Sequence, residues 1–266
     1  MAIQVARTGA VSTITIDRPD VLNALDIETQ TDLTRALIEA RDDEAVRAII
    51  LTGAGDRAFS VGSDLKRTPP STDLYARAWT ASDDVAVERG AYVRRLNLER
   101  LGIWKPMIAA VNGHCLGGGF ELALQCDLRV ASDRATFALP EVKVGSVAGV
   151  CGPLLLRAVS SAHAMKLLLT GEKIDAAEAL RIGLVSDAWA ADQLMDRAAD
   201  LAARVAANAP LSLAATKRLA HDTDVLPRAA LFDMTELVFG MLKDTEDRAE
   251  GRRAFAEKRP PVFVGR

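Results

Sequence analysis

Two stretches limit the fold of this chain more than any others. "AVRAIILTG" (residues 45–53) and "PMIAAVNG" (106–113) are continuous apolar runs, each closed by glycine. A strand with one wet face alternates apolar and polar residues. A run without alternation suits a strand covered on both faces, as in a parallel sheet with helices on either side. "VSTITI" (11–16), which sets Ile14 and Ile16 on one face, "DLRVAS" (127–132) and "ATFAL" (135–139) read as further strands. Between "VSTITI" and the first apolar run lies "DIETQTDLTRALIEARDDE". It reads as a helix with Asp26 as N-cap and Leu33, Ala36, Leu37 and Ala40 as its apolar stripe. Alternating strands and helices predict an α/β fold.

From about Cys151 the chain turns helical. "CGPLLLRAV", "AHAMKLLLTG" and "DAAEALRIGL" read as helices, the last capped by Asp175 and ended at Gly183. "ADQLMDRAADLAARVAANAP", "SLAATKRLAHD" and "PRAALFDMTELVFGMLKDTEDRAEGRRAFAEKR" follow. "LFDMTELVFGML" is more apolar than one exposed helix needs, so it packs on its own domain or on another subunit. The expected division is an α/β core over 1–200 and a helical region over 201–266. The polar segment 67–102 opens on Pro-Pro and reads as a cover rather than a core element.

Composition removes several function classes. The formal net charge of −3 gives no basic bias toward nucleic acid or an anionic membrane. No run approaches the roughly 18 apolar residues of a membrane helix. The N-terminus lacks the basic-then-apolar order of a secretory leader. Cys115, Cys126 and Cys151 show no CxxC spacing and read as reduced, buried thiols of a cytoplasmic protein. His114, His163 and His221 are scattered, so no metal site is expected. "GAGDRA" (53–58) matches a dinucleotide phosphate turn, but "FSVGSDLKRTPP" follows where a helix is required. Ser63 in "GSD" lacks the G-x-S-x-G elbow of a nucleophile.

One stretch carries chemistry. "NGHCLGGGFELALQCD" (112–127) is entered from the strand "MIAAVNG", which runs directly into the glycines and then into a helix with Glu121 in its first turn. Glycine costs a helix about 1 kcal/mol relative to alanine. At a helix start, however, it leaves bare N–H groups and the positive dipole end facing whatever lies beyond the strand. Tight helix–strand packing explains that motif alone equally well. "AFSVGSDLK" (58–66) is a second such loop. Two loops on neighbouring strands can each offer one N–H to a single oxygen, an oxyanion hole in which each donor is worth about 2.7–4 kcal/mol. Glu141 follows Pro140 in "FALPEVKVG". Either Glu121 or Glu141 alone reads as a surface residue; both beside the hole are an acid–base pair.

Together with "DRPDVLNALD", "KPMIAAVNGHCLGGGFELALQCDLRVAS", "LLLTGEKIDAAEALRIGLV" and "AFAEKRPPVF", these segments resemble the crotonase superfamily, and within it the enoyl-CoA hydratases, over nearly the whole chain. The resemblance implies a spiral of ββα repeats with a helical C-terminal region that builds trimers, often paired as hexamers. It implies an acyl-CoA thioester substrate, with no cofactor beyond the CoA that the substrate carries. It assigns the backbone N–H groups of Ser63 and Gly118 to the oxyanion hole, and Glu121 and Glu141 to the catalytic pair. Val21 and Leu22 fall where pantetheine is lined. Ser63, Asp64, Leu65, Lys66 and Gly118 fall in the substrate-binding loops, with Lys66 toward the nucleotide of CoA. Phe255 and Lys258 match positions that reach the CoA of a neighbouring subunit. The implied reaction is reversible syn addition of water to a trans-2-enoyl-CoA. Isomerisation, or dehydration of a specialised acyl group, is the alternative on the same scaffold. A non-enzymatic RNA-binding or scaffold role is a third class, against which the charge and the glutamate pair speak. The loop "GSVAGVCGP" departs from the family's G-x-x-P-G-A-G-G: Ala148 stands for the proline, and Val150 and Cys151 crowd a small-residue loop.

Overall fold

The computed structural model describes residues 2–66, 95–223 and 225–266. The segment read as a cover therefore lies mostly outside the described residues, and its described end forms a 3-10 turn at Glu99–Leu101. Strands β1 (Ile3–Thr8), β2 (Val11–Ile16), β3 (Ala48–Gly53), β5 (Met107–Val111), β7 (Leu128–Ser132) and β10 (Asp187–Trp189) form the larger sheet, in the order β1-β2-β3-β5-β7-β10. Among the described residues only β1 and β2 pair antiparallel there. The smaller sheet has the order β4-β6-β8-β9, from β4 (Ala58–Ser60), β6 (His114–Leu116), β8 (Thr136–Ala138) and β9 (Ile174–Asp175). In it β4, β6 and β8 run parallel. The chain thus alternates between sheets, β3 to β4, β5 to β6, β7 to β8, which is the repeated strand–strand step expected of the spiral.

The apolar runs are strands covered on both faces. All six residues of β3 and all five of β5 are buried. Ile49 and Leu51 pack into one core with Leu33 and Leu37 of helix α1 (Ile27–Asp42). Ala48 and Ile50 face a second core with Leu194, Ala198, Ala202 and Ala206 of helix α6 (Leu194–Ala206). Alternate side chains leave opposite faces of a strand, so an uninterrupted run feeds two layers. The glycines that close these runs sit where the chain crosses between sheets. A Cβ on Gly53 would lie 2.3 Å from the Ala58 carbonyl oxygen, and one on Gly113 would lie 2.3 Å from that of Arg57. Asn112 stitches the same corner, donating from Nδ2 to the carbonyls of Gly53 (2.9 Å) and Gly55 (2.8 Å).

Asp26 caps α1, accepting from the Thr29 N–H at 2.9 Å, and Asp175 caps α5 (Ala176–Arg181), accepting from Glu178 at 2.8 Å. "GAGDRA" leads from β3 into strand β4, with no helix to seat a pyrophosphate. One expectation needs correction: "MIAAVNG" does not run directly into the glycines. Strand β6 intervenes, so helix α2 (Gly118–Leu124) springs from the smaller sheet.

Helices α3 (Leu155–Ala158) and α4 (Ser161–Thr170) follow. Beyond them, α6 belongs to the sheet packing, and the expected boundary at residue 200 falls inside it. The last helical stretch is two helices, α8 (Arg228–Lys243) and α9 (Glu246–Glu257), after α7 (Pro210–Asp222). Thr245 makes the break, capping α9 through the Arg248 N–H. No residue of α7 or α8 is buried within the chain. Phe232, Leu237, Phe239 and Met241 of α8 are each about 60% exposed.

Candidate active site

Three loops leave the C-terminal ends of β4, β6 and β8, neighbouring parallel strands of the smaller sheet. They carry Ser63, Gly118 and Glu121, and Glu141, in that order. Parallel pairing delivers all of them to one edge of one sheet, although 78 residues of sequence separate Ser63 from Glu141.

The first loop is pinned from below. Leu25 and Ser63 form an isolated parallel bridge, in which Leu25 N–H donates to the Gly62 carbonyl (2.8 Å) and Asp64 N–H to the Leu25 carbonyl (3.1 Å). That pattern uses both backbone groups of Leu25 and turns the N–H of Ser63 to the opposite side. A Cβ on Gly62 would lie 2.6 Å from the Gly118 nitrogen, so the peptide carrying the Ser63 N–H lies against that of Gly118. Gly117 precedes α2 with φ 53° and ψ −130°, a region open essentially to glycine alone. Its bare Cα also makes room for Glu141, whose Oε1 would sit 3.1 Å from a Cβ there.

Glu121 is 1% exposed. Its Oε1 accepts the backbone N–H groups of Val150 (2.8 Å), Cys151 (2.8 Å) and Gly152 (3.1 Å). The Cys151 thiol donates to the Glu121 carbonyl at 2.8 Å. Burial raises the carboxyl above its usual range, and the Cys151, Val150 and Gly152 amides oppose that shift. Glu141 lies in a 3-10 turn, Pro140–Val144, after β8. Its Oε2 is buried and has no hydrogen-bond partner among the described residues. Burial raises its pKa first of all, and the negative charge of Glu121 raises it further. The altered loop therefore does more than crowd the site: three successive amides clamp one oxygen of Glu121. Backbone N–H groups are the same in every residue but proline, so no residue type announces this.

A second group missed in the sequence holds the Val21–Asp26 stretch beside the Ser63 loop. Arg18 pairs with Asp26 (3.1 Å) and Asp64 (3.2 Å). Its backbone N–H donates to Asn23 Oδ1 (2.9 Å), and Asn23 Nδ2 donates to the carbonyls of Ala54 (3.0 Å) and Ala58 (2.6 Å). Asn23, fully buried, adopts φ 56°, a left-handed conformation that asparagine tolerates better than most residues. The Val61 N–H donates to the Leu22 carbonyl at 3.3 Å. Val21, Leu22, Ser63, Asp64, Leu65 and Lys66 are thereby gathered together, with Val21 and Leu65 exposed. The Asp64 carboxylate is engaged by Arg18 and, through Oδ1, by the Lys66 N–H. Phe255 and Lys258 sit apart, on and just after α9. The tail behind them reaches the N-terminal end of β3, where Arg47 donates to the Phe263 carbonyl (2.7 Å). Phe255 is 87% exposed. Among the described residues no hydrogen bond or ion pair links them to the gathered residues.

Comparison with known proteins agrees with this architecture. The family model described as enoyl-CoA hydratase/isomerase matches residues 6–266. The chain is 43% identical over 266 residues to the (E)-benzylidenesuccinyl-CoA hydratase of Thauera aromatica, covering 100% of both chains. It is 38% identical over 272 residues to the carnitinyl-CoA dehydratase of Escherichia coli, covering 100% of this chain and 99% of the other. The crystal structure of an enoyl-CoA hydratase from Bacillus anthracis superposes with a TM-score of 0.89 at 30% identity, covering 100% of each chain. A mixed α/β spiral matched end to end, in sequence and in structure, leaves one conclusion: the chain belongs to the enoyl-CoA hydratase/isomerase family.

Proposed function

We propose that the protein is a hydro-lyase that reversibly adds water, in syn fashion, to a trans-2-enoyl-CoA thioester. The observation that supports this reading most is the close approach of the Gly62–Ser63 loop to the Gly118 nitrogen, beside two buried carboxyls of raised pKa, on one edge of the β4-β6-β8 sheet. The thioester carbonyl accepts from the N–H groups of Ser63 and Gly118. Negative charge that develops on its oxygen, as an enolate, is stabilised there. A water lies between the two carboxyls. Glu121, one oxygen clamped by three amides, presents the other as base and takes a proton as the hydroxyl forms its bond to Cβ. Glu141, held toward its protonated form by burial and by Glu121, gives a proton to Cα. Delivery of both from one face makes the addition syn, and orientation of the water supplies part of the rate. Double-bond isomerisation needs only one base; the pair favours hydration.

In this reading Val21 and Leu22 line the pantetheine, while Leu65 and Lys66 flank the CoA. Asp64 shapes their loop through Arg18. Phe255 and Lys258 reach the CoA of another copy, in a homotrimer or hexamer built on the apolar face of α8. No metal or cofactor other than substrate CoA takes part. With its three buried free cysteines the protein works in the cytoplasm. The test is Glu141→Gln, assayed by loss of the conjugated-thioester absorbance on a panel of 2-enoyl-CoAs. Turnover of the best substrate falls about 10²–10⁴-fold, the usual worth of a positioned general acid, while acyl-CoA binding survives. Wild-type turnover in that variant refutes the assignment.

A further inference from the structure

A cavity of about 810 Å³ lies against the loop that holds Glu121. Val150 and Cys151, whose amides hold Glu121, also line it. So do Leu124 and Gln125 at the C-terminal end of α2, about one helical turn, or roughly 6 Å, beyond Glu121. Its walls are mostly apolar: Ile103 from the segment before β5, Leu154 after the clamp, and Leu213 from α7 are among them. Lys217 Nζ pairs with Asp127 at 2.8 Å and donates to the Lys105 carbonyl at 3.1 Å.

Resting on the hydratase reading, we infer that this cavity receives the distal part of the acyl group, and that the physiological substrate carries a bulky apolar substituent beyond Cβ, a medium-length alkyl chain or an aryl ring. Ligand pockets of roughly 300–1,000 Å³ suit drug-sized groups. A crotonyl group ends one methyl beyond Cβ and leaves nearly all of this volume unfilled. The loop that fixes the carboxylate at Cβ is also the wall past which the rest of the acyl chain runs. Filling that space with CH₂ groups contributes about 0.8 kcal/mol each, close to fourfold in affinity per group.

Calorimetric titration with saturated thioesters tests this without chemistry. Decanoyl-CoA and 3-phenylpropanoyl-CoA bind at least tenfold tighter than butyryl-CoA. Leu154→Trp, or Leu213→Trp from the opposite wall if the first variant melts early, erases that preference and leaves butyryl-CoA affinity within about twofold. Equal affinities for butyryl and decanoyl thioesters overturn the inference. So does a preference that neither substitution moves, including the case in which the substitutions instead change the oligomeric mass, which makes the cavity an interface. Failure of every enoyl-CoA to be hydrated while the binding preference stands sinks the hydratase reading alone.

Discussion

Substituting Gly152 by alanine probes the clamp on Glu121 with a single methyl group. A Cβ at this position would lie 2.5 Å from the Ala148 Cβ, where contacts under 3.0 Å essentially never occur. Regaining an ordinary 3.4 Å contact requires a displacement of about 0.9 Å at one of the two residues, a forced shift of the kind overpacking imposes. The three N–H···Oε1 distances are 2.8, 2.8 and 3.1 Å, so a movement of that size carries at least the Gly152 bond out of range. A hydrogen bond to a charged group is worth about 1.5–3 kcal/mol, which is about 13- to 160-fold in rate. The amides lower the Glu121 pKa against the effect of burial. Losing one therefore moves that pKa upward, and the acidic limb of the pH–rate profile shifts with it to higher pH. The assay is kcat and its pH profile on the best enoyl-CoA, for Gly152→Ala and for the double variant Gly152→Ala with Ala148→Gly. The double variant removes the opposing methyl and recovers most of the loss, which a merely unfolded protein does not do. Wild-type kinetics in Gly152→Ala, or no recovery in a folded double variant, refutes the clamp.

Three further outcomes follow from the same contacts. Because burial raises the Glu141 carboxyl, its contribution to stability is fully present below the ordinary glutamate pKa of about 4.3 and is lost as pH rises through the folded value. Melting of Glu141→Gln should thus match wild type near pH 4 and exceed it at pH 8; a variant that is less stable at pH 8 contradicts the raised pKa. Arg18→Ala leaves Asp26 and Asp64, side chains each about 10% exposed, without their shared cation. It should cost about 3 kcal/mol in urea unfolding and weaken CoA affinity, and a loss under about 1 kcal/mol shows the network to be peripheral. Asp247, 2% exposed, accepts the N–H groups of Val264 (2.6 Å) and Gly265 (2.9 Å). Asp247→Asn should speed hydrogen exchange across 262–266 while leaving the exchange of β3 and β5 unchanged, and unaltered exchange in the tail removes that anchor.

Local chemistry determined much of this protein before any folding was considered. The unbroken apolar runs at 45–53 and 106–113 demanded strands covered on two faces, because side-chain alternation feeds both layers. Asp26 and Asp175 announced helix starts, since a carboxylate one residue ahead of a helix finds unpaired N–H groups there. The glycines and Glu121 announced a helix start, though not by themselves whether it serves packing or a ligand. Tertiary structure alone decided what those pieces do together. Strand β6, three residues long, carries too short a pattern to be seen, yet it moves the Gly118 loop onto the smaller sheet. The Arg18–Asn23 stitching joins residues 46 apart through side chains whose partners are set only once β4 is in place. The grip on Glu121 comes from backbone amides of Val150, Cys151 and Gly152, groups that almost every residue possesses. Their function depends on where they are held, and position is the one property that a string of side chains does not encode until the chain has closed on itself.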